Sequence, residues 1–177
     1  WETATLNGIK MLIYSQAYDL YHTMFRILQI MEKSKQELEV DKLRILDFYL
    51  AFPAELLEIR SFVGFRKYEK YLKAESNSYE RVIDRKRLFF KMEHIQISAM
   101  KALISYDLFD AKEFKNGKLK RTDIPLSESL SLRINKANEE NHNLITLITG
   151  PLASMNLYGH LGLKERTNLI EFKYDAV

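Results

Sequence analysis

Few residues in this chain let its backbone turn. Six Gly and three Pro occur in 177 residues, at Gly8, Pro53, Gly64, Gly117, Pro125, Gly150-Pro151, Gly159 and Gly162. The intervals between them carry apolar residues at spacings of three and four, the pattern of long helices. The clearest runs from Ile9 to Ser34, with Ile9, Leu12, Ile13, Ala17, Leu20, Met24, Leu28 and Met31 on one stripe. Tyr14, Tyr18, Tyr21 and Phe25 form an aromatic ridge beside it. A helix apolar over so much of its circumference needs packing partners on two sides. A core helix satisfies that demand, and so does a helix whose ridge meets another protein, so these four residues are candidate interface residues.

Asp41 is the expected cap of a second helix, Val40–Phe52, that buries Leu43, Leu46 and Leu50 with Ile45 and Tyr49 and stops at Pro53. Pro53 opens a third, which Gly64 ends. Residues 66–78 are charged and tyrosine-rich, with Ser76-Asn77-Ser78 the most linker-like point. The chain is expected to be one compact unit over 1–177, or an N-terminal helical part over 1–75 joined to a second part over 76–177. In the second part, helices are expected over about Tyr79–Lys91 and His94–Ser105, then a hairpin over Lys112–Asp123 turning on Asn116-Gly117, since both residues tolerate positive φ. Beyond Pro125 a helix capped by Ser127 carries Leu126, Leu130, Ile134, Ala137, Leu144 and Ile148 until Gly150-Pro151 breaks it. A short helix over Leu152–Tyr158, a turn at Gly159–Gly162 and a tail strand through Ile170, Phe172 and Tyr174 complete the reading. The fold class is therefore mainly α with a small β-hairpin: a winged-helix-like helical domain plus C-terminal helices.

Composition narrows the chemistry. With 46% hydrophobic and 29% charged residues the chain is globular, and ten Tyr and ten Phe supply bulk for a core. The absence of Cys removes disulfides, thiolate nucleophiles and Cys-ligated zinc, and points to a reducing, cytoplasmic setting. The apolar stretch 9–31 is interrupted by Lys10, Asp19 and Arg26, so neither a membrane span nor a signal peptide is expected. The chain begins at Trp1 rather than Met, so a preceding segment is expected. His22, His94, His142 and His160 are scattered and fit no metal-ligand spacing. No GxGxxG, GxxxxGK or GxSxG motif occurs. Glu139-Glu140 and the Asp107/Asp110 pair read as solvated or helix-end carboxylates rather than an acid–base couple. No catalytic residue, cofactor or metal is expected, and an enzyme with a site assembled from scattered groups is the weakest reading.

Charge is uneven. The net of +3 averages a local +6 over Arg60–Lys91, from ten basic and four acidic residues, with +4 over Lys112–Arg121 and −7 elsewhere. Arg81, Arg85, Lys86, Arg87 and Lys91 share one expected helix, while Lys112, Lys115, Lys118, Lys120 and Arg121 decorate the hairpin. Such a zone suits a nucleic-acid backbone or an acidic protein surface. The helix expected to read bases offers only Gln96, Ser98, Lys101 and Ser105 as polar side chains, and no arginine. Non-specific phosphate contact is therefore favoured over sequence-specific reading.

Two stretches carry a family resemblance. Asp41-Lys42-Leu43-Arg44-Ile45-Leu46-Asp47-Phe48-Tyr49-Leu50-Ala51-Phe52-Pro53, and the run from Gln96 to Asp110 followed by a Gly-containing hairpin, resemble the middle components of bacterial three-component ABC-type systems. These are small proteins encoded beside an SMC-like ATPase, and they include components of Lamassu-type anti-phage defence. The resemblance covers roughly 6–125. It implies a non-catalytic accessory subunit that binds the head or neck of the SMC-like ATPase and helps restrain an effector, often a nuclease, until foreign DNA is sensed. A stand-alone winged-helix DNA-binding regulator is the alternative.

Overall fold

A computed structural model describes residues 17–75 and 84–171 of the chain. Ala17 is helical and a break at Tyr18–Asp19 interrupts the helix expected over 9–34, so that helix α1 spans Leu20–Ser34. Asp19 stands in extended backbone and its carboxylate accepts the His22 N–H at 2.8 Å, which makes it the cap that begins the helix. Residues 9–16 of the expected helix, Tyr14 included, lie outside the described residues. At the other end Lys35 turns into the left-handed region (φ 52°) and its N–H closes on the Met31 carbonyl. The two-sided apolarity of α1 is met by three helices, Val40–Ala51, Arg85–Ser105 and Glu128–Glu140, that pack on it.

After the two-residue strand β1, Leu38–Glu39, helix α2 spans Val40–Ala51. Its boundaries follow the sequence, but its cap is Glu39 rather than Asp41. Every residue from Lys42 to Tyr49 is buried, charged ones included, whereas Leu50 is half-exposed. An expected stripe is thus a helix enclosed on all sides. Pro53 opens a 3₁₀ helix, Pro53–Glu58, rather than an α-helix. Gly64 (φ 87°) does not end it; that glycine forms the turn into α3, Arg66–Glu75. The apparent linker over 66–75 is helical because Phe65, Tyr68 and Leu72 recur at helical spacing and are buried while charges cover the remainder. Ser76-Asn77-Ser78 lies outside the described residues.

Helix α4, Arg85–Ser105, is continuous over 21 residues where two helices were expected. Asp84 caps it, accepting the Arg87 N–H at 3.0 Å. No breaker interrupts Lys91–His94, and the buried Phe89, Met92 and Gln96 continue one inner face across that stretch. The winged-helix comparison drew on two helices at this point, and one stands there.

The expected hairpin segment contributes one strand. Helix α5, Ala111–Lys115, precedes the Asn116-Gly117 turn (Gly117 φ 77°). Strand β2, Lys118–Leu119, then pairs antiparallel with β1, Leu38 facing Leu119 and Glu39 facing Lys118. Phe109 and Arg121 form a further antiparallel bridge. Helix α6, Glu128–Glu140, begins as expected at Ser127, whose hydroxyl accepts the Leu130 N–H. It stops at Asn141 rather than Gly150, where the backbone leaves helical geometry (φ −108°, ψ 33°) and the side-chain amide adds a bond to the Ala137 carbonyl at 3.1 Å. Helix α7, His142–Leu147, leads into a π turn, Ile148–Leu152, with Pro151 inside. There the Ala153 N–H reaches the Ile148 carbonyl at 3.0 Å, the i→i+5 pattern. The helix expected over Leu152–Tyr158 does not form: Leu152 ends the π turn and turns and bends follow over 153–158. Instead α8, Leu163–Thr167, follows the Gly159–Gly162 turn. The tail strand expected through Phe172 and Tyr174 falls outside the described residues.

The described chain is therefore mainly helical, with one small two-stranded antiparallel sheet. Its core is built on α1, α2 and α4. Phe48 holds edge-to-face contacts with Tyr49 (centroids 5.3 Å apart) and Phe89 (5.8 Å), and a tilted contact with Phe52. Among the described residues no helix is long and apolar enough to cross a membrane.

Candidate functional site

Helix α4 has two faces of different chemistry. The inner one closes a polar network in the core that charge patterning did not reveal. Arg26 of α1 and Asp47 of α2 meet through Nε–Oδ1 at 2.7 Å and Nη2–Oδ2 at 3.3 Å. Gln96 of α4, fully buried, donates to Asp47 Oδ2 at 2.8 Å and to the Arg44 carbonyl at 3.1 Å, and accepts from Arg44 Nε at 3.3 Å. Arg44 also pairs with Asp41 (3.0 Å) and Glu93 (3.0 Å) and lies 4.8 Å from the Phe89 ring. Asp47, Gln96 and Arg44 are thus each met by a polar group from a different helix, as burial requires. Gln96, counted in the sequence among base-reading side chains, faces inward and cannot serve that role. The Gln29 side-chain amide donates to Asn138 Oδ1 at 3.1 Å, and Asn138 Nδ2 donates to the Gln29 backbone carbonyl at 3.3 Å, which fixes α6 onto α1.

The outer face of α4 carries Lys86, Arg87 and Lys91, all exposed. Arg85, at the start of the helix, turns inward. It lies 3.8 Å from Glu55 and donates to the Thr167 carbonyl at 3.4 Å. Arg81 lies outside the described residues. Farther along, Phe90 (54% exposed), Glu93, His94, Ile97, Ser98 and Lys101 border an open groove of about 470 Å³.

The second basic group is at the far end of α2. Arg85 pairs with Glu55, just past the C-terminus of α2, whereas Lys118 donates to Glu37, just before its N-terminus, at 2.6 Å. About 18 Å of helix separates the two ends, so the basic zones of the sequence are distinct surfaces. Lys112, Lys115 and Lys120 are exposed. Glu37 holds the Lys118 ammonium above the usual lysine range. Arg121 is a structural tie. Its guanidinium donates to Glu32 (2.6 Å), to the Leu108 carbonyl and to the Ile124 carbonyl (3.0 Å), and lies 5.4 Å from the Phe109 ring.

The aromatic ridge divides likewise. Tyr18 and Phe25 are half-buried against the core, with Arg133 lying 5.7 Å from the Phe25 ring, and Tyr21 is 76% exposed. His22 is bound to Asp19 at 2.8 Å, and His160 lies 3.4 Å from Glu165. The Leu161 N–H, with His160, Arg60 and Arg166 nearby, lowers the Glu165 carboxyl below its usual range. Asp110, read as a helix-end carboxylate, caps α5 by accepting from Lys112 N (2.7 Å) and Glu113 N (3.1 Å). Among the described residues no group of three or more His, Cys, Asp or Glu is placed to hold a metal ion.

The family model described as ABC-three component (ABC-3C) system Middle Component 5 matches residues 12–175. No curated protein and no solved structure matches the chain.

Proposed function

Because the chain belongs to the Middle Component 5 family of ABC-three component systems, it is an accessory subunit of a multi-component assembly, and we propose that it acts without catalysis of its own. In this reading it works in the bacterial cytoplasm, in anti-phage defence of the Lamassu type. It binds an SMC-like ATPase and helps hold an effector nuclease in check. The observation that carries the reading is the family match over 12–175. The fold supports it, since polar groups inside α4 are consumed in holding three helices together while exposed cations and aromatics remain outside. Exposed Lys112, Lys115 and Lys120 sit on α5 and next to β2, which suits a sequence-independent phosphate contact by the same subunit.

Co-expression with the other components of its own system tests the assembly. Untagged ATPase and nuclease should co-purify with the tagged chain and co-elute in gel filtration. Elution of the chain alone, with both components present and folded, would remove the accessory role. For DNA, K112E/K115E/K120E should weaken binding of the complex to a mixed-sequence duplex and shallow its salt dependence. An unchanged salt slope would remove those lysines from any phosphate contact.

A further inference from the structure

On the outer side of α4, Arg87, Phe90, His94, Ile97, Lys101 and Ile104 follow one another at spacings of three, four, three, four and three. This is the 3.5-residue repeat by which one helix lies along another. It extends for about 26 Å. The row has a regular composition: Phe90, Ile97 and Ile104 are spaced by seven, and the cationic or protonatable Arg87, His94 and Lys101 are also spaced by seven. Phe90 is 54% exposed, Ile97 and Ile104 are half-buried, and the three basic side chains are exposed. The groove of about 470 Å³ lies along this row. Lys86 and Lys91 flank it, and Glu93, the carboxylate beside it, is turned to Arg44 at 3.0 Å.

We propose that the outer face of α4 is a docking strip for one helix of a partner subunit, amphipathic and acidic, lying alongside it. The apolar positions would insert between turns of that helix. Cations at the alternate positions would be desolvated at a cost unless carboxylates face them, so charge complementarity requires Asp or Glu at the partner's matching positions. Ile97 and Ile104 also pack partly against the core, but a nucleic-acid backbone would satisfy the cations and leave the exposed Phe90 of the strip uncovered. The inference rests on the accessory-subunit reading and specifies the surface and chemistry of the contact.

The test uses the complex assembled from the full chain and the other components of its own system. A photo-reactive p-benzoylphenylalanine replaces Phe90 or Ile97, with the exposed Leu132 of α6 as a control position. Cross-links from positions 90 and 97 should fall on a single acidic partner segment, at residues spaced by about seven, and position 132 should not reach that segment. R87E/K101E should lower the affinity of the complex at least tenfold with the circular dichroism spectrum and Tm of the free chain unchanged. Glu→Lys changes at the cross-linked partner positions should restore it. Cross-links to residues 1–16 of the same chain, to a second copy or to DNA would overturn the proposal. So would an intact complex with no cross-link at either position. Failure of any complex to form would instead count against the accessory reading on which the proposal rests.

Discussion

Arg26 and Asp47 sit face to face between α1 and α2, joined by two hydrogen bonds of 2.7 and 3.3 Å, with Asp47 wholly shielded from water. Removing one partner leaves a buried charge uncompensated, and Gln96 loses an acceptor as well. Asp47→Ala should therefore cost about 3–5 kcal/mol, read as a fall in the urea midpoint. The double variant R26M/D47L, apolar on both sides, should be more stable than D47A alone. A double variant no better than the single one would show that the ion pair is not the source of the loss.

The Tyr49 hydroxyl is buried without a hydrogen-bond partner, and that burial raises its pKa well above the usual phenol value. Tyr49→Phe keeps the ring against Phe48 and removes an unsatisfied group. It should be neutral or stabilise by up to about 1 kcal/mol in chemical denaturation. A loss larger than that would reveal a partner for the hydroxyl.

Arg121 and Lys120 are adjacent cations with different work. Arg121 ties Glu32, Leu108 and Ile124 together over the Phe109 ring, a geometry that needs a planar fork. Arg121→Lys should lose about 1–2 kcal/mol and Lys120→Ala less than about 0.5 kcal/mol. Equal effects would mean that the guanidinium bonds do not contribute to folding.

The Asp110 carboxylate is held below its ordinary range by the N–H groups of Glu113 and then Lys112. A depressed folded-state pKa stabilises the fold above the unfolded value, and the contribution is lost as pH falls through the folded value. Asn at this position still caps but does not titrate. The Tm difference between the native chain and D110N should hold steady above about pH 5 and shrink as pH falls below the ordinary aspartate value of 3.8. A pH-independent difference would remove the carboxylate charge from the capping of α5.

Local chemistry was legible where it acts locally. Ser127 could be recognised as a cap and Pro53 as a boundary because each imposes its effect within one turn. The extent of α2 followed from its flanks, but its enclosure did not. Lys42, Arg44 and Asp47 look like a solvated face until Arg26 and Gln96 arrive from 21 and about 50 positions away to meet two of them. The strand partner of Lys118–Leu119 was hidden for the same reason, since nothing near Asn116-Gly117 announces Leu38. Charged Lys91 and Glu93 flank the boundary between the two expected helices, yet Met92 between them belongs to the inner face of the single α4. The basic residues cluster along the chain. Their partition to opposite ends of α2 depends on how the helices pack, which sequence spacing does not encode.

The β1–β2 ladder has a kinetic meaning. Joining Leu38 to Leu119 from an open chain closes a loop of about 80 residues, an entropy cost near 4 kcal/mol beyond the constant term. Two residues per strand cannot offset that alone, so the ladder becomes stable only once α1, α2 and α4 have brought its ends together. The amide of Val40, bound to the Gly117 carbonyl at 2.8 Å, therefore works as a clock for the completed fold. Its protection from exchange should mature after that of the α1 interior during refolding.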